Sequence, residues 1–351
     1  MSKLNIIPIF VPHYGCPLNC VFCNQKKITG VSTDISSKVV NDTILEYLSY
    51  FKRKDNVEVA FYGGSFTAIE MDIQKDLLSV AFNYKKMGYI RNIRLSTRPD
   101  CINEEILDNL KNYGVDIIEL GVQSLDNDVL TMSNRGHNAL CVYESSKLIR
   151  DYGFKLGLQQ MIGLPGDNFN KSYFTAKEFV RLKPFCVRIY PTLVIKDTAL
   201  EYDLNNGVYE PLSLGDSISI VSDILHIYYL NNIEVIRVGL QPTENINYNA
   251  DLLAGPFHPA YRQLVEANYL LNSLENYFID KVTNEEVLIY ANGRNISNIS
   301  GQKSANKNKL ITDLKLKKLT LRQKDLDNFS LEINGNLIDI RKYYKMEHKC
   351  I

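Results

Sequence analysis

No apolar run in this sequence approaches the roughly 18–20 residues that a helix needs to cross a membrane, so no membrane partner is expected. There is no net charge: 40 Lys and Arg face 40 Asp and Glu, and any argument for a charged partner must come from how those charges are distributed. The seven cysteines are odd in number and unevenly spaced. That argues against a disulfide framework and for a reducing compartment, the cytoplasm. Met1-Ser2-Lys3-Leu4-Asn5 leads straight toward an extended apolar run rather than a signal peptide. No internal repeat or low-complexity tract is present. What remains is an ordinary globular composition, 45% hydrophobic and 23% charged over 351 residues. That length suits one large domain and a small one.

Four of the cysteines (Cys101, Cys141, Cys186 and Cys350) are scattered and read as ordinary core or surface thiols. The other three crowd into Cys16-Pro17-Leu18-Asn19-Cys20-Val21-Phe22-Cys23, just after the strand-like run Ile6 to Val11. A zinc site here needs a fourth ligand, for which His13 is near, but zinc sites are usually built from C-x2-C pairs. Three thiolates at C-x3-C-x2-C suit an iron–sulfur cluster instead. On a four-iron cubane they leave one iron without a protein ligand, which marks a catalytic centre.

Along the chain, helical and strand periodicities alternate. Helices are expected near 34–51, 71–84, 103–112, 126–132, 138–151, 170–182 and 216–230. Strands are expected near 57–62, 93–97, 117–122, 154–164, 186–190 and 234–238. This alternation makes a parallel sheet of βαβ units. Polar motifs recur at nearly every strand end, which favours a TIM-type barrel over a doubly wound sheet. A helix at about 259–279 closes a first domain of residues 1–280, with its core at 6–240. Residues 281–351 form a small α/β domain with strands at 286–290, 319–321 and 331–340, and a loop and helix over 295–310.

The strand-end motifs are Gly63-Gly64-Ser65-Phe66, Ser96-Thr97-Arg98-Pro99-Asp100, Glu119-Leu120-Gly121-Val122-Gln123-Ser124, Asn134-Arg135-Gly136-His137, Gly163-Leu164-Pro165-Gly166 and Arg188-Ile189-Tyr190-Pro191. Glycines after a strand let backbone approach a ligand, or simply make a tight turn. Glu119, between Ile118 and Leu120, needs a partner if buried, whether structural or ligand. His137 alone reads as a surface or capping residue.

The cysteine loop, with Phe22 before its last cysteine, resembles the signature of the radical S-adenosylmethionine (radical SAM) superfamily. The ordered motifs resemble the radical SAM domain of the Elongator catalytic subunit and its bacterial relatives, over roughly residues 6–240. The resemblance implies a partial (β/α)6 barrel, with Cys16, Cys20 and Cys23 ligating a [4Fe–4S] cluster. It implies S-adenosylmethionine bound near Phe22, Gly63, Gly64, Ser65, Arg98, Glu119 and Gln123, with Arg188 and Tyr190 on the substrate side. It further implies an electron donor such as flavodoxin or ferredoxin. The Elongator subunit carries an acetyltransferase domain, of which no glycine-rich pyrophosphate loop is visible here. Wobble-uridine chemistry is therefore not carried over, while acetyl-CoA or another acyl-CoA stays open as a co-substrate.

Residues 281–351 hold 14 Lys and Arg against 8 Asp and Glu, leaving residues 1–280 with 26 against 32. Ile296 to Asn306 is similar to the loop of a KH RNA-binding module, with Gly301 in place and Ser304 where the second glycine would stand. Gly301, Lys303, Lys307 and Lys309 are then candidate RNA contacts, and a tRNA is the candidate partner. The alternatives are a small-molecule or peptide substrate, a solvated lysine face, or a cluster-bearing RNA-binding protein without turnover.

Overall fold

The computed structural model of the chain describes residues 4–11, 16, 19–24, 35–53, 55–240, 247, 250–279, 281 and 285–348. His13, Pro17, Leu18 and Cys350 lie outside them. By its contacts the chain divides into Met1–Leu212 with Ile233–Phe257, and Ser213–Asn232 with His258–Ile351. This grouping differs from a boundary at 280, because the closing helix falls with the C-terminal residues.

In the first unit, short runs rich in Val, Ile and Leu become β1 (Asn5–Val11), β2 (Val57–Gly63), β3 (Asn92–Thr97), β4 (Ile117–Gln123), β5 (Lys155–Ile162) and β6 (Cys186–Pro191). A ribbon of β7 (Val194–Ile195) and β9 (Leu252–Ala254) stands apart, and β8 (Glu234–Val238) joins the main sheet. All seven strands of that sheet run parallel in the order β1-β2-β3-β4-β5-β6-β8. Among the described residues the first and last strands do not pair. Six crossovers between seven strands give the partial (β/α)6 barrel.

Most helices of this unit begin where a polar side chain caps them. Helix α1 (Ser37–Tyr50) starts at Ser36, whose hydroxyl accepts from the Val39 N–H, and α2 (Met71–Lys86) follows β2. Asn103 caps α3 (Glu104–Asn112), as its position in the sequence suggests. Asp126 caps α4 (Asn127–Met132), Asn138 caps α5 (Ala139–Asp151) and Asn168 caps α6 (Phe169–Leu182). Each such cap contributes about 1 kcal/mol. The sequence gives no warning of α7 (Ala199–Asn205), which starts at the Thr198 cap.

Parallel register fixes which side chains share a face. One face carries Ile7, Val59, Leu95, Leu120, Leu158 and Ile189, all buried. Each contributes about 1.5–3 kcal/mol on burial. The opposite face carries Glu58, Tyr62, Arg94, Glu119, Gln159 and Arg188. A sheet so divided has a dry outer layer and a polar interior.

In the second unit, α8 (Leu214–Leu230) packs on α9 (Tyr261–Phe278). The apolar side of α9 meets a four-stranded sheet ordered β11-β10-β12-β13. Its elements are β10 (Glu286–Ala291), α10 (Gly293–Ser300), α11 (Ala305–Asp313), β11 (Lys318–Gln323), β12 (Ser330–Ile333) and β13 (Asn336–Asp339). Two expectations are corrected here. Residues 296–300, read as loop, lie in α10, whose Asn292 cap and buried Ile299 hold it. The single strand expected over 331–340 is a hairpin, because Asn334 and Gly335 both take positive φ, 48° and 86°.

Buried Asp223 ties down the end of this unit. It accepts from the Tyr344 hydroxyl at 2.7 Å, the Glu347 and His348 amides at 3.1 Å each, and pairs with His348 Nδ1 at 2.8 Å. Replacing it leaves those donors unsatisfied, at about 1–3 kcal/mol for a buried one. Asp223→Ala should therefore lower the Tm by several degrees and expose residues 344–348 to limited proteolysis. Proteolysis unchanged from wild type would contradict the tie.

Candidate active site

The polar face of the first unit is a ladder of opposite charges. Glu58 accepts from Arg94 Nη2 at 2.9 Å and Nε at 3.2 Å, and Arg94 Nη1 reaches Glu119 at 2.8 Å. Arg188 closes on the same carboxylate with Nε at 2.5 Å and Nη2 at 3.1 Å. The Arg188 guanidinium also donates to Tyr62 at 2.8 Å and lies 3.5 Å from the Tyr190 hydroxyl. Two Arg against two Glu make the row neutral. Burial alone would push Glu119 up, but Arg188 and Arg94 hold it below the usual carboxylate range. Burial pushes Tyr62 up to about 12, so it stays a donor at neutral pH. Room for the Glu119 side chain comes from Gly157, where a Cβ would sit 2.7 Å from Glu119 Cγ.

The strand ends above the ladder carry the motifs. β1 and β2 end in register at Val11 and Gly63. Gly63 has φ +106°, and a Cβ there would stand 2.6 Å from Val11 O, so only glycine fits. The Gly64 N–H donates to Val11 O at 2.9 Å. The turn is thus bare where the chain leaves β1 for the cysteine loop.

That loop is held at several points. Val21 N–H donates to Ser133 O at 3.2 Å, Asn134 Nδ2 to Asn19 O at 2.8 Å, and Arg135 Nη1 to Cys20 Sγ at 3.1 Å. Leu200 N–H donates to Val21 O at 2.9 Å, while Val21 and Phe22 pack on Val194, Leu200 and Tyr209. Arg135 also donates to Gly121 O, and its own carbonyl accepts from Arg98, which Asp100 grips in a fork at 2.9 and 2.8 Å. Cys20 is buried, Cys16 and Cys23 are half-buried, and none of the three is in a disulfide. Burial raises the Cys16 thiol, opposed by the Ser65 backbone and by Arg98 and Arg135.

The residues singled out in the sequence therefore separate into groups. Ser65 is buried against Thr97, with 2.8 Å between the two hydroxyl oxygens, and accepts from Arg98 N–H. Arg98 and Glu119 are committed to protein partners, and Phe22 to an apolar patch. Gln123 is different: it sits at φ +72° at the end of β4, buried, with its Oε1 unpartnered among the described residues. His137, expected at the surface or at a cap, is buried beside the Val122 backbone, and Asn138 does the capping. Burial, with Arg135 nearby, lowers it to about 4. Sequence reasoning named Arg135 only as part of the Asn134–His137 motif, without a role, and missed Glu58, Tyr62 and Arg94. The one available signal was charged residues alternating with apolar ones in Val57-Glu58-Val59 and Ile93-Arg94-Leu95.

In the second unit, Gly301, Lys303 and Ser304 all have positive φ in the turn between α10 and α11. Lys303 is exposed and Lys307 half-buried, while Lys309 pairs with Glu275 at 2.5 Å. The lysine face is thus partly neutralised.

Residues 10–173 match the radical SAM superfamily and residues 184–270 match the Radical_SAM C-terminal domain. The chain belongs to the radical SAM superfamily, a superfamily of enzymes. It is 31% identical over 221 residues to an uncharacterised protein of Methanocaldococcus jannaschii, covering 62% of this chain and 65% of that one. A tRNA uridine(34) acetyltransferase of Dehalococcoides mccartyi is 28% identical over 259 residues, 64% of this chain and 56% of its own. Elongator complex protein 3 of Homo sapiens is 31% identical over 191 residues, 49% and 35% of the respective chains. The chain thus spans less than two thirds of the length of these relatives. The structure of archaeal Methanocaldococcus infernus Elp3, with an N-terminal deletion, shares the fold at TM-score 0.60 and 20% identity. That match covers 80% of this chain and 64% of the other.

Membership implies a [4Fe–4S] cluster and S-adenosylmethionine, and the residues fit them. Three thiols, Cys16, Cys20 and Cys23, stand within eight residues, a donor set of the kind that such clusters take. Among the described residues no group of three His, Cys, Asp or Glu side chains is arranged to hold a metal ion. Beside the thiols lie the bare Gly63–Gly64 turn and two buried polar atoms without partners among the described residues, Gln123 Oε1 and Arg135 Nε.

Two outcomes follow. Arg94→Met removes one partner of a buried pair and leaves Glu58 and Glu119 short of positive charge. Such a loss costs about 3–5 kcal/mol, read as a lower denaturant midpoint; an unchanged midpoint would contradict the ladder. His137 binds its proton near pH 4 when folded but near 6.5 when unfolded. Between those values the unfolded chain holds more protons, so acidification destabilises the fold. His137→Asn should flatten the stability slope in that window by up to about one proton; an unaltered slope would count against the burial.

Proposed function

We propose that this enzyme reductively cleaves S-adenosylmethionine and acts on RNA, with tRNA as the substrate, in a reducing cytoplasm. The observation that carries the reading is the cysteine loop, fastened with Cys20 buried, at the barrel end where the glycine turn is bare. When bound, the cluster and S-adenosylmethionine together supply a one-electron cleavage that yields a 5′-deoxyadenosyl radical, strong enough to take hydrogen from an unreactive C–H bond.

The chain's own residues do the rest. Cys16, Cys20 and Cys23 hold the cluster. Gly63 and Gly64 keep side chains away from the methionyl end, and Gln123 offers an unpaired amide oxygen. Arg188, fixed by Glu119, holds the Tyr62 and Tyr190 hydroxyls on the substrate side. A flavodoxin- or ferredoxin-class donor supplies the electron.

For the substrate, the supports are the excess of lysine and arginine in residues 281–351 and the name of one relative, a tRNA uridine(34) acetyltransferase. Lys303 and Lys307 are the phosphate contacts; Lys309 is a weaker candidate because Glu275 already pairs with it. Since the matched relatives are covered only in part, acetyl transfer is not included, and an acyl-CoA stays open as a co-substrate. That same pairing of lysines with carboxylates, also Lys324 with Glu332, favours a second reading in which the substrate is a small molecule or peptide.

Anaerobically reconstituted protein with S-adenosylmethionine and dithionite should form 5′-deoxyadenosine, more of it with small RNA present, and Cys20→Ala should form none. Formation that ignores RNA would move the substrate to small molecules. No product from a loaded cluster would overturn the reading. RNA affinity should fall linearly on a log–log plot against salt, with a slope lowered by about one for each of Lys303→Gln and Lys307→Gln.

A further inference from the structure

Ser133, Asn134 and Arg135 meet the cysteine loop one residue to one residue. The Ser133 carbonyl takes the Val21 N–H, Asn134 Nδ2 reaches the Asn19 carbonyl, and Arg135 Nη1 reaches the Cys20 sulfur at 3.1 Å. Asn134 holds φ +52° to make the turn. Arg135 is itself fixed: its Nη2 donates to Gly121 O, and its backbone N–H donates to Leu130 O at 3.0 Å. Its carbonyl is held by Arg98, which Asp100 orients. Asp100 is occupied by that fork, and no salt bridge among the described residues pairs a carboxylate with Arg135. A buried cation without a carboxylate partner, aimed at one sulfur of three, is more than a loop fastening needs. The Asn134 and Ser133 contacts already supply that.

We propose that Arg135 is a positioning residue that sets the reduction potential of the cluster through a charge-assisted N–H···S hydrogen bond to the Cys20 thiolate. The inference rests on the cluster reading above. Hydrogen bonds to cluster sulfurs and local charge are among the terms that set such potentials. Reduction adds one electron, from dithionite or a flavodoxin-class donor, and no proton, so the cluster and its three thiolates gain one negative charge. A guanidinium at the Cys20 sulfur stabilises the reduced form more than the oxidised one and raises the potential.

The test is a redox titration of anaerobically reconstituted protein without S-adenosylmethionine, followed by the electron paramagnetic resonance signal of the reduced cluster. Arg135→Gln should lower the reduced-to-oxidised ratio at a fixed potential by about tenfold, equivalent to ~59 mV for one electron. Arg135→Lys keeps the charge but loses the planar fork that serves Gly121 O and Cys20 Sγ together, and should fall between Gln and wild type. A merely structural residue would change iron loading and stability while leaving the potential of the loaded fraction unmoved. If Arg135→Gln takes up no iron, Arg135→Lys carries the test, and a potential equal to wild type would overturn the proposal. A wild-type chain that itself builds no cluster would count against the cluster reading. A normal wild-type signal beside unmoved variants counts against Arg135 alone.

Discussion

A carboxylate buried inside a parallel sheet is tolerated only while positive charge meets it, and the barrel interior is laid out around that requirement. Glu119 lies between Arg94 and Arg188, and Glu58 balances Arg94 from the other side. Four strands are thereby tied through side chains as well as through backbone hydrogen bonds. Desolvating these groups costs several kcal/mol per ion, offset by near-complete hydrogen bonding and by a row whose charges cancel. Gly157 is the steric counterpart, since any side chain there would occupy the place of Glu119. The consequence for function is a rigid polar floor. Arg188 is held in one orientation, and the tyrosine hydroxyls beside it are donors fixed in advance of any ligand.

Above that floor the site is assembled from segments distant in sequence. The cysteine loop follows β1, the bare turn follows β2, Arg98 follows β3, and Gln123 ends β4. The 133–135 turn then reaches back across more than a hundred residues to Asn19 and Cys20. Strand ends supply the positions and loops supply the groups, the usual division of labour in barrels of this kind. The second unit has its own economy: α9 lends its apolar side to the small sheet, and Asp223 secures the chain end.

Much of the fold was legible because it rests on local signals. Apolar runs gave the seven strands of the sheet nearly to the residue, and Asn103 announced the start of its helix. Where local signals were present but weak, they were misread. The Asn334-Gly335 pair marks a hairpin turn, and the polar run Asn295 to Ser300 hid a helix that only its cap and Ile299 explain. The ladder was half visible: Glu119 clearly needed a partner, but nothing local says that the partners lie 25 residues before it and 69 after it. His137 looked like a surface histidine because burial is a property of the packed loop, not of the tetrapeptide. The thiol spacing carried the cluster; the clasp on Cys20 is tertiary and left no trace in the sequence.

The central claim is that three thiolates hold a four-iron cluster with one iron left for S-adenosylmethionine. Mössbauer spectroscopy of protein reconstituted with 57Fe, with and without S-adenosylmethionine, tests it most directly. The account predicts that adding S-adenosylmethionine shifts the parameters of one iron site in the cluster and leaves the others unchanged. A spectrum indifferent to S-adenosylmethionine, or iron that does not assemble beyond mononuclear sites, would contradict it.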